Sequence, residues 1–293
     1  MMLLGPEARE SIWTAADGAA LPAATWEAEA RPRAVLSCLH GLGGAPSDFD
    51  RLAVALAETG IHVAALTMRG QGMDPDLRRR GHHLDPQQIS DDYAAFTTTV
   101  SELHPNLPVF LAGESLGALM AAHALAIRAD FPNLSGAIFS APVVALARET
   151  PPVVKSLLSF LVKLVPRLIV RPSWFVTGKR KAPQTSRDSE WTDRQKTGPQ
   201  YIPAFSINLL EKVGLLIDGS MQDAAKITVP TLTLAAGRDV FVKPERVREW
   251  SAAIPSPDAT FHLYPEAYHV LWNDYDRDSV IQDIASWLEQ RIR

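Results

Sequence analysis

A serine flanked by glycines, Gly113-Glu114-Ser115-Leu116-Gly117, sits between an apolar run at 108–112 (PVFLA) and an Ala- and Leu-rich run at 116–129. A strand that turns sharply into a helix lifts such a serine hydroxyl clear of the main chain. Glycine is needed on both sides because side chains there would strike the neighbouring strand and helix. The helix N-terminus adds free N–H groups and the positive end of a dipole beside the hydroxyl. Together these features describe a nucleophile for acyl transfer. The plain structural alternative is a serine that caps the helix.

A serine nucleophile needs a base, and the chain offers His40, His62, His82, His83, His104, His123, His262 and His269. His269 follows the last strand-like run, 260–264, on a loop before the final helix, at a strand's C-terminal edge where sheet-based sites gather. His262 alternates inside that run and is expected to pack. His82-His83 reads as a solvated loop, with no carboxylate or cysteine pattern nearby to make a metal site.

The base in turn needs a carboxylate to set its tautomer and stabilise the imidazolium. Asp239 follows the run 231–236 (TLTLAA). Asp218 and Asp223 lie on the far side of a domain boundary, and Asp258 precedes a strand, so each fits less well. Helix capping is the structural alternative for Asp239. Ser115, Asp239 and His269 then stand in the chain order of the α/β-hydrolase triad. The remaining requirement is a pair of donors for the oxyanion. His40-Gly41-Leu42-Gly43-Gly44 directly follows the run 34–39 (AVLSCL), and its Leu42 N–H is the expected donor, with the N–H of Leu116 as the second. No metal and no organic cofactor is required.

The elements that must position these residues alternate. A hairpin is expected over 11–26 around Asp17-Gly18. Strands are expected at 34–39, 62–68, 108–112 and 136–140, with helices at 47–58, 86–103 and 116–129 between them. The strands are continuous apolar runs, as in a mostly parallel sheet covered by helices on both faces. The pattern breaks from 142 to about 225, which is rich in proline. It resumes with a strand at 231–236, a helix at 247–254, a strand at 260–264 and a closing helix over 279–291. The expected division is therefore a core of 1–141 and 226–293 with a helical cap inserted at 142–225.

Composition sets the outer limits. Of 293 residues, 46% are hydrophobic and 21% charged, the balance of a globular chain. The 29 basic and 33 acidic residues leave a net charge of -4, so no nucleic-acid footprint is present. Cys38, the lone cysteine, can form no internal disulfide and is expected to pack beside the glycine-rich loop. The N-terminal MMLLGPEARESIW lacks the basic region and apolar length of a signal peptide. The most apolar stretch, 153–170, is broken by Lys155, Lys163, Pro166 and Arg167, so no transmembrane segment is expected and the expected location is cytoplasmic.

The sequence resembles the α/β-hydrolases of the monoacylglycerol lipase and lysophospholipase group. The resemblance rests on His40-Gly41-Leu42-Gly43, Arg69-Gly70-Gln71-Gly72, PVFLAGESLGA, Gly237-Arg238-Asp239 and Tyr268-His269, spanning nearly the whole chain outside 142–225. It implies a helical cap over the site and hydrolysis of carboxylic esters with a hydrophobic acyl chain through an acyl-enzyme on Ser115. Two departures stand out. Glu114 occupies a position where many relatives have His, and the loop after Arg69 (QGMDPDLRRRGHH) is long and basic. A short-chain carboxylesterase, thioesterase or amidase uses the same triad, and a non-catalytic binding protein can share the fold.

Within 142–225, the stretch 151–166 is amphipathic, with Lys163, Arg167 and Arg171 spaced four apart unless Pro166 breaks the helix. It reads as a packing helix with a solvated basic edge, or as a helix that touches a membrane surface. Leu157, Phe160, Leu161, Trp174 and Phe205 are the candidates for an acyl pocket. Oligomeric state is not legible.

Overall fold

A computed structural model describes every residue except 1–4, 6, 30, 129, 149–150, 172–183 and 293. The hairpin is β1 (Ala8–Thr14) and β2 (Ala20–Trp26), paired antiparallel around Asp17-Gly18. Then come β3 (Ala34–Leu39), β4 (Ile61–Leu66), β5 (Val109–Glu114) and β6 (Leu134–Ser140). A short ribbon, β7 (Ile169–Val170) with β8 (Phe205–Ser206), stands apart from the main sheet. β9 (Thr231–Ala236) and β10 (Ala259–Tyr264) complete the set.

Eight strands form one sheet in the order β1-β2-β4-β3-β5-β6-β9-β10, and β2 is the strand that runs against its neighbours. Every residue of β3, β4, β5 and β9 is buried, on both faces. Such strands are stable only when helices cover each side. The cover consists of α1 (Asp50–Glu58), α2 (Pro86–Leu103) and α3 (Leu116–Ile127), then α4 (Pro152–Leu164), α5 (Ser189–Thr197) and α6 (Ile207–Ala224), and finally α7 (Pro244–Ala252) and α8 (Arg277–Glu289). On one face Leu52 and Leu56 of α1 join Ile284 and Trp287 of α8 against Leu36, Ala65 and Phe110. On the other, Tyr93 of α2, Leu119 of α3 and Trp250 of α7 close over Leu111 and Phe139. Cys38 lies fully buried in the first cluster.

The order of strands locates the site. From β3 the chain moves outward to β4, then returns to the other side of β3 for β5. The direction of winding therefore reverses between β3 and β5, and the loops leaving their C-terminal ends diverge to open a crevice. The glycine-rich loop leaves β3 and Ser115 leaves β5.

Several boundaries differ from expectation. The helix expected at 47–58 begins as a 3-10 turn, Pro46–Phe49, because the Asp48 carboxylate turns back to accept from the Ala45 N–H at 3.0 Å. α7 starts three residues early, at Pro244, whose fixed φ suits a first helical turn. α4 stops at Leu164 because Val165 precedes Pro166 and leaves the helical region. Arg167 and Arg171 therefore do not continue the helical face of Lys163. Among the described residues, no helix is long and apolar enough to cross a membrane.

Candidate active site

Ser115 stands at the junction of β5 and α3 with φ 57 and ψ -117, a conformation that a side-chain-bearing residue adopts only under constraint. The constraint is packing. A Cβ on Gly117 would overlap the main-chain oxygens of Leu39 and His40, and one on Gly113 would lie 2.5 Å from the Gly117 oxygen. The two glycines let β5, α3 and the end of β3 close to within main-chain contact. The Ser115 N–H donates to the Ser140 oxygen at 2.9 Å, which extends the sheet one residue past β5 and fixes the turn. The Ser115 side chain makes no helix-capping hydrogen bond.

Its Oγ lies 2.8 Å from His269 Nε2, and His269 Nδ1 lies 2.7 Å from Asp239 Oδ2. Both the His269 and Asp239 side chains are almost fully buried, at 4% and 1% exposure. A carboxylate can only accept, so Nδ1 carries the proton and Nε2 presents its lone pair to the serine hydroxyl. The other Asp239 oxygen accepts from the main-chain N–H of Phe241 at 2.8 Å and of Val242 at 3.4 Å. Asp239 thus makes the turn contacts of its structural alternative with one oxygen and holds His269 with the other. Phe241 packs edge-on against the imidazole at 4.7 Å between ring centres. The other aspartates are engaged elsewhere. Asp218 pairs with Lys155, Asp223 with His123 and Asp258 with Arg291.

The glycine-rich loop passes directly over the serine; a Cβ on Gly41 would lie 3.1 Å from the Ser115 Cβ. His40, fully buried, braces the loop. Its Nε2 accepts from the Met68 N–H at 2.9 Å, so Nδ1 carries the proton and donates to the Gly41 oxygen at 2.8 Å. Burial pushes the His40 pKa down to about 4, which keeps this tautomer neutral. The Gly43 N–H donates to Gln71 Oε1 at 3.0 Å. Among the described residues, the N–H groups of Leu42 and Leu116 have no acceptor. Two unengaged donors beside the half-buried Ser115 are what an oxyanion requires.

The five pocket candidates fall in different places. Phe205 is buried, with its ring against Gly43. Leu161 is half-buried. Leu157 and Phe160 are 55% and 58% exposed, and no residue of α4 is buried, so α4 lacks the packed face expected of it. Trp174 lies outside the described residues.

The loop after Arg69 also differs from expectation. His82 and His83 are half-buried rather than solvated, and Ser206 of β8 donates to the Gly81 oxygen and to the His82 oxygen. Asp74 organises the loop by accepting from the Gly70 N–H at 2.7 Å and from Arg79 at 2.8 Å. Arg80 donates to the main-chain oxygens of Pro199 and Tyr201. The extra length and basic residues therefore build a seat for the strap 199–206, which lies against the glycine-rich loop. Sequence reasoning also missed Arg187, which grips Asp274 and Asp276 and ties the segment before α5 to the His269 loop. Gln71 had a visible signal, since it lies in the Arg69-Gly70-Gln71-Gly72 motif; Arg187 had none.

Comparison with known proteins places the fold and the family. The chain is 24% identical over 269 residues to an uncharacterized abhydrolase domain-containing protein of Dictyostelium discoideum, covering 92% of this chain but 27% of that protein. It is 25% identical over 272 residues to the monoacylglycerol lipase of Mycolicibacterium smegmatis, covering 91% of this chain and 92% of the relative. Its fold matches a soluble variant of monoglyceride lipase from Saccharomyces cerevisiae, crystallised with a substrate analog. The TM-score is 0.85 at 18% identity, over 100% of this chain and 98% of that one. The family profile described as serine aminopeptidase, S33, matches residues 30–276, and the chain belongs to that family of serine hydrolases with the α/β-hydrolase fold.

Proposed function

We propose that the protein hydrolyses lipid-like carboxylic esters, of the monoacylglycerol or lysophospholipid type, through an acyl-enzyme on Ser115. The observation that carries this reading is the hydrogen-bonded chain Ser115–His269–Asp239, set at the point where the sheet reverses its winding. Ser115 Oγ attacks the ester carbonyl carbon and passes its proton to His269 Nε2. Asp239 stabilises the imidazolium, and the N–H groups of Leu42 and Leu116 hold the oxyanion. The carbonyl re-forms, and the alcohol leaves with the proton from His269. Water then attacks the acyl carbon, His269 takes its proton, and the fatty acid departs as Ser115 recovers its hydrogen. The relatives named as monoacylglycerol lipases favour the lipid substrate.

In this reading residues 142–225 are a cap over a core of 1–141 and 226–293, and α4 meets the lipid surface. Val153, Phe160 and Leu164 are 74%, 58% and 63% exposed, and Lys163 stands in the last turn beside Leu164. An apolar stripe beside a cation is the pattern of a helix that lies in a membrane interface.

The test is fatty-acid release from monoacylglycerols of graded chain length, presented in vesicles of phosphatidylcholine with phosphatidylglycerol. Medium and long chains are expected to give the highest kcat/KM. Val153→Asp with Leu164→Asp is expected to lower turnover from vesicles about a hundredfold, because each of the two aliphatic side chains withdrawn from water contributes about 1.5 kcal/mol. Hydrolysis of a soluble short-chain ester should persist in that variant. Turnover of short esters alone, with none of any monoacylglycerol or lysophospholipid, would make the protein a general carboxylesterase.

A further inference from the structure

The Leu42 N–H belongs to the same peptide as the Gly41 carbonyl. In a planar trans peptide the two point in opposite directions, so whatever holds the Gly41 oxygen aims the Leu42 N–H. Two donors hold it: His40 Nδ1 at 2.8 Å and the Gly44 N–H at 3.1 Å. The second bond exists only while the turn from Gly41 to Gly44 stays closed. At its tip Gly43 has φ 70, and Leu42 is not among the residues with positive φ. That pair of signs is the type II turn, which needs glycine at the third position. The commoner type I turn differs from it by a flip of the middle peptide, here Leu42–Gly43. Something must decide which way that peptide faces. Among the described residues, the hydrogen bond that reaches it from outside the turn comes from Gln71, whose Oε1 accepts from the Gly43 N–H at 3.0 Å.

Gln71 is itself rigidly placed. It is fully buried, its N–H donates to the Met68 oxygen at 3.0 Å, and its main-chain oxygen accepts from the Asp74 N–H at 2.8 Å. The Met68 N–H in turn donates to His40 Nε2, so the turn that carries Gln71 also fixes the imidazole that holds Gly41. Next to it, a Cβ on Gly72 would lie 1.7 Å from the Gly44 oxygen. Only glycine lets the two main chains touch there, and that contact brings the Gln71 amide within reach of Gly43. An N–H can meet only the oxygen of the amide, so Oε1 faces Gly43. Nε2 is then buried with no partner among the described residues. A buried donor left unpaired is a cost that methionine, of similar length, would avoid. Packing alone does not account for glutamine; its acceptor oxygen does.

We propose that Gln71 is a positioning residue for ester hydrolysis. Its amide oxygen holds the Leu42–Gly43 peptide in the type II form, keeps the Gly44 N–H on the Gly41 oxygen, and so keeps the Leu42 N–H aimed at the oxyanion. Gln71 acts through Gly43 and touches no reacting atom. This inference rests on the hydrolytic reading of Ser115 and on Leu42 as an oxyanion donor.

The test compares Gln71→Met, which keeps the length of the side chain but has no oxygen, with Gln71→Glu, which keeps an accepting oxygen in either protonation state. Gln71→Met is expected to lower kcat for a p-nitrophenyl ester by about 10- to 100-fold with KM little changed, since one oxyanion donor is misaimed rather than deleted. An alkyl trifluoromethyl ketone supplies the specific readout. Ser115 Oγ adds to its carbonyl carbon, the hydroxyl proton passes to His269, and the carbonyl oxygen becomes an oxyanion in the same place as the ester's. Affinity for the ketone should fall by the same factor as kcat, because the adduct resembles the transition state. Affinity for an uncharged ether analogue of the ester, which forms no oxyanion, should stay as it was. Gln71→Glu should recover most of both losses. A packing role predicts the reverse order, with methionine harmless and a buried glutamate damaging.

The Gly43 amide, followed by NMR, reads the hold on the loop without any catalysis. It should exchange slowly in the wild type and quicken in Gln71→Met, or in Gln71→Leu should the first variant fold poorly. If the wild type turned over no ester, yet its Gly43 amide behaved in this way, the hold on the loop would stand and the hydrolytic reading would fall. A Gly43 amide that exchanges freely in the wild type overturns the proposal. So does a Gln71→Met protein with unchanged kcat and ketone affinity, or a Gln71→Glu protein as impaired as Gln71→Met.

Discussion

Alanine in place of Ser115 lowers kcat for p-nitrophenyl butyrate by about 10^4- to 10^6-fold, the range seen when a serine hydrolase loses its nucleophile. The residue that remains comes from oxyanion donors and binding alone. The fold should survive the change. The hydroxyl bonds to His269 and caps no helix, and alanine bears the same Cβ into the same positive-φ conformation. An unchanged Tm beside the lost turnover separates a chemical role from a structural one. Full activity in Ser115→Ala would remove the nucleophile from the account.

The second large effect is at Asp239. Asn should keep one oxygen to accept from the Phe241 N–H, so the turn into α7 is preserved. The amide nitrogen then faces His269 Nδ1 where a carboxylate oxygen stood at 2.7 Å. A donor there favours the tautomer with its proton on Nε2, which cannot take the proton of Ser115. The expected cost is about 10^4-fold in kcat, with little loss of stability. The same variant should react with a fluorophosphonate more slowly by a comparable factor, because that reaction also needs Ser115 activated. A loss below about tenfold would mean that another group orients His269.

Much of this arrangement is legible in the sequence because it depends on local rules. Gly113 and Gly117 mark a turn that no side chain can share, and the apolar runs at 34–39 and 231–236 are continuous because those strands are buried on both faces. The chain order Ser115, Asp239, His269 then follows from which loops leave the same edge of the sheet. What was not legible depends on contacts between distant segments. Arg78, Arg79 and Arg80 read as a basic loop, yet Arg79 serves Asp74 and Arg80 serves the main chain at Pro199 and Tyr201, 119 and 121 residues away. His82 and His83 read as solvated because nothing in their own neighbourhood announces that β8 will cover them. α4 has the periodicity of a packed helix but no buried residue, since amphipathic spacing records that one face is apolar and not what covers it. Glu114 is visible as a departure; that its side chain is buried needs the fold.

The central claim is that Ser115 is the activated nucleophile of a serine hydrolase. It is tested most directly by intact-protein mass and peptide mapping after brief exposure to a fluorophosphonate. One adduct per chain is expected, on the peptide containing Ser115, with none on His269→Ala over the same time. A correctly folded protein that stays unlabelled, or one labelled at another serine, would contradict it.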